Sequence, residues 1–108
     1  MRPEIKLFID EYINAFTELD ISGVDALVLF GSQARGTATL LSDVDIAVIM
    51  RNNLTPRDRG IMLSLGEDID MRIETNLFFT TQQALDNAER DLDTNTSIKK
   101  EGIILWQR

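Results

Sequence analysis

Two aspartates one residue apart, Asp43 and Asp45, stand at the head of DVDIAVIM, a run that otherwise reads as a buried strand. Alternate strand residues point the same way, about 6 to 7 Å apart along the backbone, so both carboxylates share one face. Two close carboxylates repel and raise the pKa of at least one, unless a cation sits between them. Ionised and bridged by one Mg²⁺, the pair becomes favourable, and a third carboxylate from a neighbouring strand would complete a site for two metals. Upstream, the apolar run VDALVLF stops at Gly31 and Ser32. At a strand end that enters a helical turn, free backbone N–H groups and the Ser32 hydroxyl can hold a phosphate. Gly31, without a side chain, lets the backbone approach the anion. A phosphate cradle beside a metal dyad is the arrangement that transfer at phosphorus needs. Taken singly these features are common: a D-x-D is often two solvent-facing positions, and Gly-Ser is often a strand end with a helix cap. The ordered set Gly31, Ser32, Gly36, Ser42, Asp43 and Asp45, flanked by two apolar strands, selects the chemical reading.

Composition narrows the chemistry further. The chain has no Cys and no His. Disulfides, Cys/His zinc sites, thiol nucleophiles, Ser-His-Asp triads and histidine bases are therefore all excluded. Catalysis would rest on carboxylates with a hard, oxygen-seeking cation such as Mg²⁺. A formal charge of −7 argues against broad electrostatic binding to nucleic acid or an anionic membrane. A local phosphate site stays compatible with it, because Arg35, Arg51, Arg57, Arg59 and Arg72 cluster between residues 35 and 72. The start, MRPEIKLFIDEY, carries acids and no cleavable apolar core, so no signal peptide is expected. No apolar run nears the roughly 20 residues that span a bilayer, and a cytoplasmic location is the default expectation.

The elements that must position these residues fit one small domain over 1–108, with 44% hydrophobic residues to build its core. Ile5, Phe8, Ile9, Tyr12, Ile13, Phe16 and Leu19 recur at helical spacing, predicting a core-packing helix over 3–19 with Pro3 in its first turn. VDALVLF (24–30) reads as a buried strand. SQARG reads as a short helical turn closed by Gly36, and TATLLS as the loop to the second strand, 43–50. After the connector RNNLTP, Thr55, Pro56 and Asp58 announce a helix reaching about Ser64. Residues 69 to 79 alternate well at first and predict a half-buried third strand. TTQQALDNAERDL predicts a helix with Leu85, Ala88 and Leu92 inward. TSIKKEGIILW predicts a helical turn capped by Gly102, then an extended end in which Trp106 packs. Strands alternating with helices give an α/β or α+β sandwich, a small sheet packed by helices.

The pattern G-S-x-x-x-G followed by S-D-x-D resembles the signature of the polymerase-beta-like nucleotidyltransferases, and the chain is most similar to their minimal single-domain members. The residues that carry the likeness are Gly31, Ser32, Ala34, Arg35, Gly36, Ser42, Asp43 and Asp45; the leading helix and the final SIKKEGIILW extend it over nearly the whole chain. The resemblance implies a small mixed sheet packed by helices, Gly31 and Ser32 on a nucleoside triphosphate, and Mg²⁺ on Asp43 and Asp45. Gly36 and Ser42 complete the nucleotide loop, and Arg35 suits phosphate oxygens or, equally, a helix-end surface position. Arg57 and Arg59 are read as a solvated helix face. The family draws a third carboxylate from the strand that here is MRIETNLFF. Aligning outward from FFTTQQAL puts Asn76 at that position, and an amide is neither a base nor a strong ligand for a hard cation. Glu74, two residues earlier, is the substitute carboxylate in the metal and catalytic set, and equally suits a solvated strand position; Asp70 is a more distant candidate.

The resemblance implies an Mg²⁺-dependent transfer of a nucleoside monophosphate, AMP from ATP foremost, to a hydroxyl acceptor. Minimal members are commonly paired with an all-helical HEPN-type protein, towards which they act as antitoxins, by adenylylating a tyrosine or by binding. The atypical third position keeps a second expectation open, a catalytically weak module that neutralises its partner by occlusion. A third is a subunit of an aminoglycoside-type, small-molecule nucleotidyltransferase.

Overall fold

The computed structural model describes residues 1–38 and 43–108. In chain order the elements are α1 (Pro3–Leu19), β1 (Val24–Phe30), α2 (Gly31–Arg35), β2 (Val44–Met50), α3 (Pro56–Ile69), β3 (Thr75–Thr81), α4 (Gln82–Asp86), α5 (Thr94–Glu101) and β4 (Ile103–Gln107). The four strands form one sheet in the order β3-β2-β1-β4, with β2 and β3 parallel and the other pairs antiparallel. The expected mixed sheet packed by helices is therefore what the chain builds.

The sheet separates two apolar layers by strand parity. Val44, Ile46, Val48 and Met50 join Ile5, Phe8, Ile9, Tyr12 and Phe16 of α1 and Met62 of α3 in the larger core. Ala47 and Ile49, with Val28, join Leu85 of α4 and Ile98 of α5 in a smaller one. Tyr12 is fully buried in the larger core, and its hydroxyl donates to the Met62 carbonyl at 2.9 Å, tying α1 to α3. Burial raises the Tyr12 phenol far above its ordinary range, so it stays a donor. Trp106 packs edge-on against Phe16, ring centroids 5.1 Å apart, and so seats β4 against α1.

The first helix and first strand lie where the sequence predicts them. Thr55 caps α3, its hydroxyl accepting from Asp58 N at 3.1 Å, and Pro56 opens the helix. Two expectations are corrected. The third strand begins at Thr75 rather than at Ile69, because α3 runs on past Ser64 to Ile69. Met62, Leu65 and Ile69 keep helical spacing and all pack on the larger core. The alternation from Ile69 to Ile73 is instead a helix end and a turn. Asp70 accepts there from Arg72 N at 3.0 Å and from its guanidinium at 3.0 and 2.8 Å, while Ile73 N bonds Asp70 O. The helix expected from TTQQALDNAERDL is one short element, α4. Thr81 caps it, Leu85 is buried, and Leu92 is fully exposed. The chain turns before Asp93, whose carboxylate starts α5 by accepting from Asn95 N at 2.8 Å.

Tyr12→Phe is expected to cost about 0.5 to 1.5 kcal/mol, since it removes the buried hydrogen bond that the Met62 carbonyl accepts in addition to its place in the α3 ladder; chemical denaturation reads this. The Asp70 carboxyl, held down by the Arg72 guanidinium and then its backbone N–H, is lowered from 3.8 to about 2. A carboxyl lowered on folding adds stability above its unfolded pKa, and that part fades as pH falls through the folded value. Carboxyl NMR should find Asp70 titrating near 2, and Arg72→Ala should return it toward 3.8.

Candidate functional site

The site begins with the pairing of β2 and β3. In their parallel register Asp45 lies opposite Asn76, and Val44 N donates to Glu74 O at 2.9 Å where the ladder starts. Val44 and Ile46 face the α1/α3 core, so Asp43 and Asp45 take the opposite face. The Asn76 amide stands between their carboxylates: Nδ2 donates to Asp43 Oδ2 at 3.0 Å and to Asp45 Oδ1 at 3.1 Å. Both aspartates are half-buried and Asn76 is exposed, which puts the pair at the solvent end of a strand that is otherwise interior.

From the neighbouring strand, β1 delivers the turn that closes over Asp45. Phe30 pairs with Asp45 across the antiparallel β1–β2 ladder, and the next residue, Gly31, begins α2. Gly31 has φ +75°, and a Cβ there would run into the Asp45 carboxylate, first at Oδ2. Both conformation and space therefore require glycine. The helical turn of α2 ends at Gly36, also left-handed at φ 75°, with its N–H on Gln33 O and Ser32 O. Ser32 is half-buried on the first turn, two positions from Phe30. Arg35 is paired with Glu101 at the end of α5, Nη1 to Oε2 at 3.1 Å, with both side chains partly exposed.

The structure thus brings Gly31, Asp43, Asp45 and Asn76 together. It places Glu74 differently: just before β3, exposed, lining a cavity of about 420 Å³ with Leu63 and Glu67 of α3 and with Met71. Asp70 is engaged by Arg72 in its turn. Ser42 lies outside the described residues. Arg57 is exposed, but Arg59 is half-buried, its guanidinium 4.8 Å from the Phe79 ring centre and Nη2 3.7 Å from Met50 Sδ. Sequence reasoning missed three things: Asn76 as a donor to both aspartates, Glu101 as the partner of Arg35, and the burial of Gln33 within α2. The first was within reach, since an amide set opposite paired carboxylates has only its NH₂ to offer them.

Among the described residues, no group of three or more His, Cys, Asp or Glu side chains is placed to hold a metal ion. The donor set that does converge is two carboxylates and an amide. It suits one hard divalent cation that keeps most of its ligands as water or phosphate oxygens, the habit of Mg²⁺. It lacks the third carboxylate of a two-metal site.

Comparisons with known proteins bear on the family and the fold. The family described as polymerase beta, nucleotidyltransferase matches residues 11–108. No curated protein matches the chain. Among solved structures, a chain of a toxin–antitoxin complex with AMP-PNP is similar at TM-score 0.62 and 24% identity, covering 90% of this chain and 72% of that one. A chain of the Shewanella oneidensis complex of tri-AMPylated HEPN toxin with MNT antitoxin is similar at TM-score 0.60 and 20% identity, over 95% and 72%. A candidate nucleotidyltransferase from Sulfolobus solfataricus is similar at TM-score 0.57 and 18% identity, over 96% and 83%. At these identities the likeness is one of fold. No helix among the described residues is long and apolar enough to cross a membrane.

Gly31→Ala is expected to destabilise the fold by about 1 to 3 kcal/mol, through a strained positive φ and the clash with Asp45. The same change made in an Asp45→Ala background should cost clearly less, and a double-mutant cycle of denaturation midpoints measures the difference.

Proposed function

This chain belongs to the polymerase beta nucleotidyltransferase family, and from that premise we propose that it transfers a nucleoside monophosphate, AMP from ATP, to a hydroxyl of an all-helical HEPN-type partner, and so acts as an antitoxin. Residues 1–108 would form one nucleotidyltransferase domain working in the cytoplasm. The observation that carries the reading is the convergence of Asp43 and Asp45 on the Asn76 amide, with Asp45 packed directly against Gly31, a glycine whose missing Cβ keeps that carboxylate and the turn in contact.

Each residue has a part in this reading. Gly31 and Ser32, on the first turn of α2, receive the triphosphate through backbone N–H groups and the Ser32 hydroxyl. Gly36 lets that turn close, and Ser42, the residue before Asp43 in the sequence, would join the nucleotide-binding set. Asp43 and Asp45 would hold Mg²⁺, which when bound neutralises phosphate charge and polarises the phosphorus centre. The acceptor oxygen forms a bond to the α-phosphorus, the bond from that phosphorus to the bridging oxygen breaks, and pyrophosphate leaves with the electron pair. The acceptor's proton passes to water at the solvent-exposed end of the site. Arg35 contributes from the last position of α2, with Nη1 on Glu101 and a guanidinium fork that suits phosphate oxygens. Glu74, just before β3, would act as the third carboxylate only by turning from its cavity toward the pair. The fold likeness to complexes of toxin and antitoxin, one with AMP-PNP and one with a tri-AMPylated toxin, supports both nucleotide and partner.

One observation favours a second reading. Asn76 cannot take a proton and occupies the space between the two aspartates, which fits a weak enzyme that silences its partner mainly by covering it.

Transfer of label from α-³²P-ATP to the product of the neighbouring gene, with Mg²⁺, separates the two. Label on the partner, reduced on the order of 10²-fold or more by Asp43→Ala or Asp45→Ala, is the expected result. Glu74→Ala reports whether that carboxylate takes part. Tight partner binding that survives both aspartate changes, without label, would sink the enzyme and leave the occluding antitoxin.

A further inference from the structure

The space between Asp43 and Asp45 already holds a group that offers two N–H donors. Only the NH₂ of an amide can face two carboxylate oxygens, because its own oxygen would be repelled by both. At 3.0 and 3.1 Å the two Nδ2 hydrogens serve one carboxylate each. The mutual repulsion of the pair is thereby relieved within the protein. A carboxylate in the place of Asn76 would do the reverse, setting three negative charges together with nothing but a cation to reconcile them.

From this we infer that Asn76 is a positioning residue that keeps the Asp43–Asp45 pair assembled without a cation, so that the site takes its divalent cation only together with the nucleotide's phosphates. The inference rests on the nucleotidyltransferase reading and adds an order of events to it. Two carboxylates bridged by an amide make a weak trap for a free, strongly hydrated cation, whereas a triphosphate brings the missing anionic oxygens with it. Asn76 is exposed at the sheet end, so its terminal torsion is free to turn over, releasing both carboxylates and presenting Oδ1 in place of Nδ2. Gly31 holds Asp45 in place during that turn by the close packing already described.

The probe is Mn²⁺, followed by electron paramagnetic resonance and by melting temperature, with and without a non-hydrolysable ATP analogue. Wild-type protein should show no saturable Mn²⁺ binding below about 1 mM on its own, and should bind Mn²⁺ and analogue together. Asn76→Asp should melt earlier than wild type in EDTA, recover on adding Mn²⁺ alone, and bind nucleotide-free Mn²⁺ about tenfold or more tightly than wild type. Asn76→Ala should also melt earlier in EDTA, and a merely structural asparagine would not yield a loss that Mn²⁺ reverses. If Asn76→Asp folds only in Mn²⁺, the inference is supported in its strongest form. Saturable micromolar Mn²⁺ binding by wild type without analogue overturns it, as does an Asn76→Asp variant matching wild type in EDTA and in Mn²⁺. In both cases normal analogue binding leaves the nucleotidyltransferase reading standing. Failure of wild type to bind the analogue at any Mn²⁺ concentration overturns the two together.

Discussion

The register of β2 is the constraint on which everything else hangs. One parity of that strand, Val44, Ile46 and Val48, is completely buried against α1 and α3; the other carries Asp45 and then Ala47 and Ile49 toward the smaller helical layer. A slip of one residue would drive Asp45 into the larger core and lift Val44 into water. The apolar faces of α1 and α3 therefore do more than stabilise the sheet. By demanding three buried β-branched side chains from β2, they decide which face the aspartates take. The parallel ladder to β3 then sets Asn76 opposite Asp45.

The antiparallel partner supplies the other half of the geometry. Phe30 sits opposite Asp45, so the residue after it must leave the sheet immediately above the carboxylate. No side chain fits there, and the backbone must turn with a positive φ; glycine satisfies both demands at once. The result is an α2 first turn held against the aspartate by close packing. Its far end is tethered differently, by Gly36 within the turn and by the Arg35–Glu101 pair across to α5. Such a partly exposed ion pair adds little to stability, on the order of 0 to 1 kcal/mol, but it fixes where the guanidinium rests.

How much of this was legible in the sequence depended on how local each signal was. The α1 and β1 boundaries follow from unbroken periodicity between Pro3 and Leu19 and from the Gly that ends VDALVLF. The Asp43, Asp45 and Gly31 cluster was legible because strand parity and glycine chemistry act over a few residues. The start of β3 was not, because Ile69, Met71 and Ile73 alternate for two unrelated reasons, a helix end and an Asp70-centred turn. The length of α4 was hidden likewise: Ala88 and Leu92 continue the spacing of Leu85, while Asn87 ends the helix and the chain folds back to Asp93. Glu101 and Asn76 acquire their partners only through tertiary pairing, across 66 residues in the one case and 31 to 33 in the other.

On the proposed function an acidic chain would handle phosphates, which poses an electrostatic difficulty, and the arrangement around Asn76 bears on it. At a formal −7, the protein repels a triphosphate at long range. A site with a third carboxylate would deepen that repulsion unless it were filled by cations beforehand. With an amide there instead, the local charge is lower, and a metal–nucleotide complex, whose own charge is reduced by its cation, meets less resistance on approach. An amide is also no base, so in the proposed reaction the acceptor's proton would have to go elsewhere. Recruiting the cation with its nucleotide and giving up a base on β3 would thus both follow from the exchange of one carboxylate for an amide.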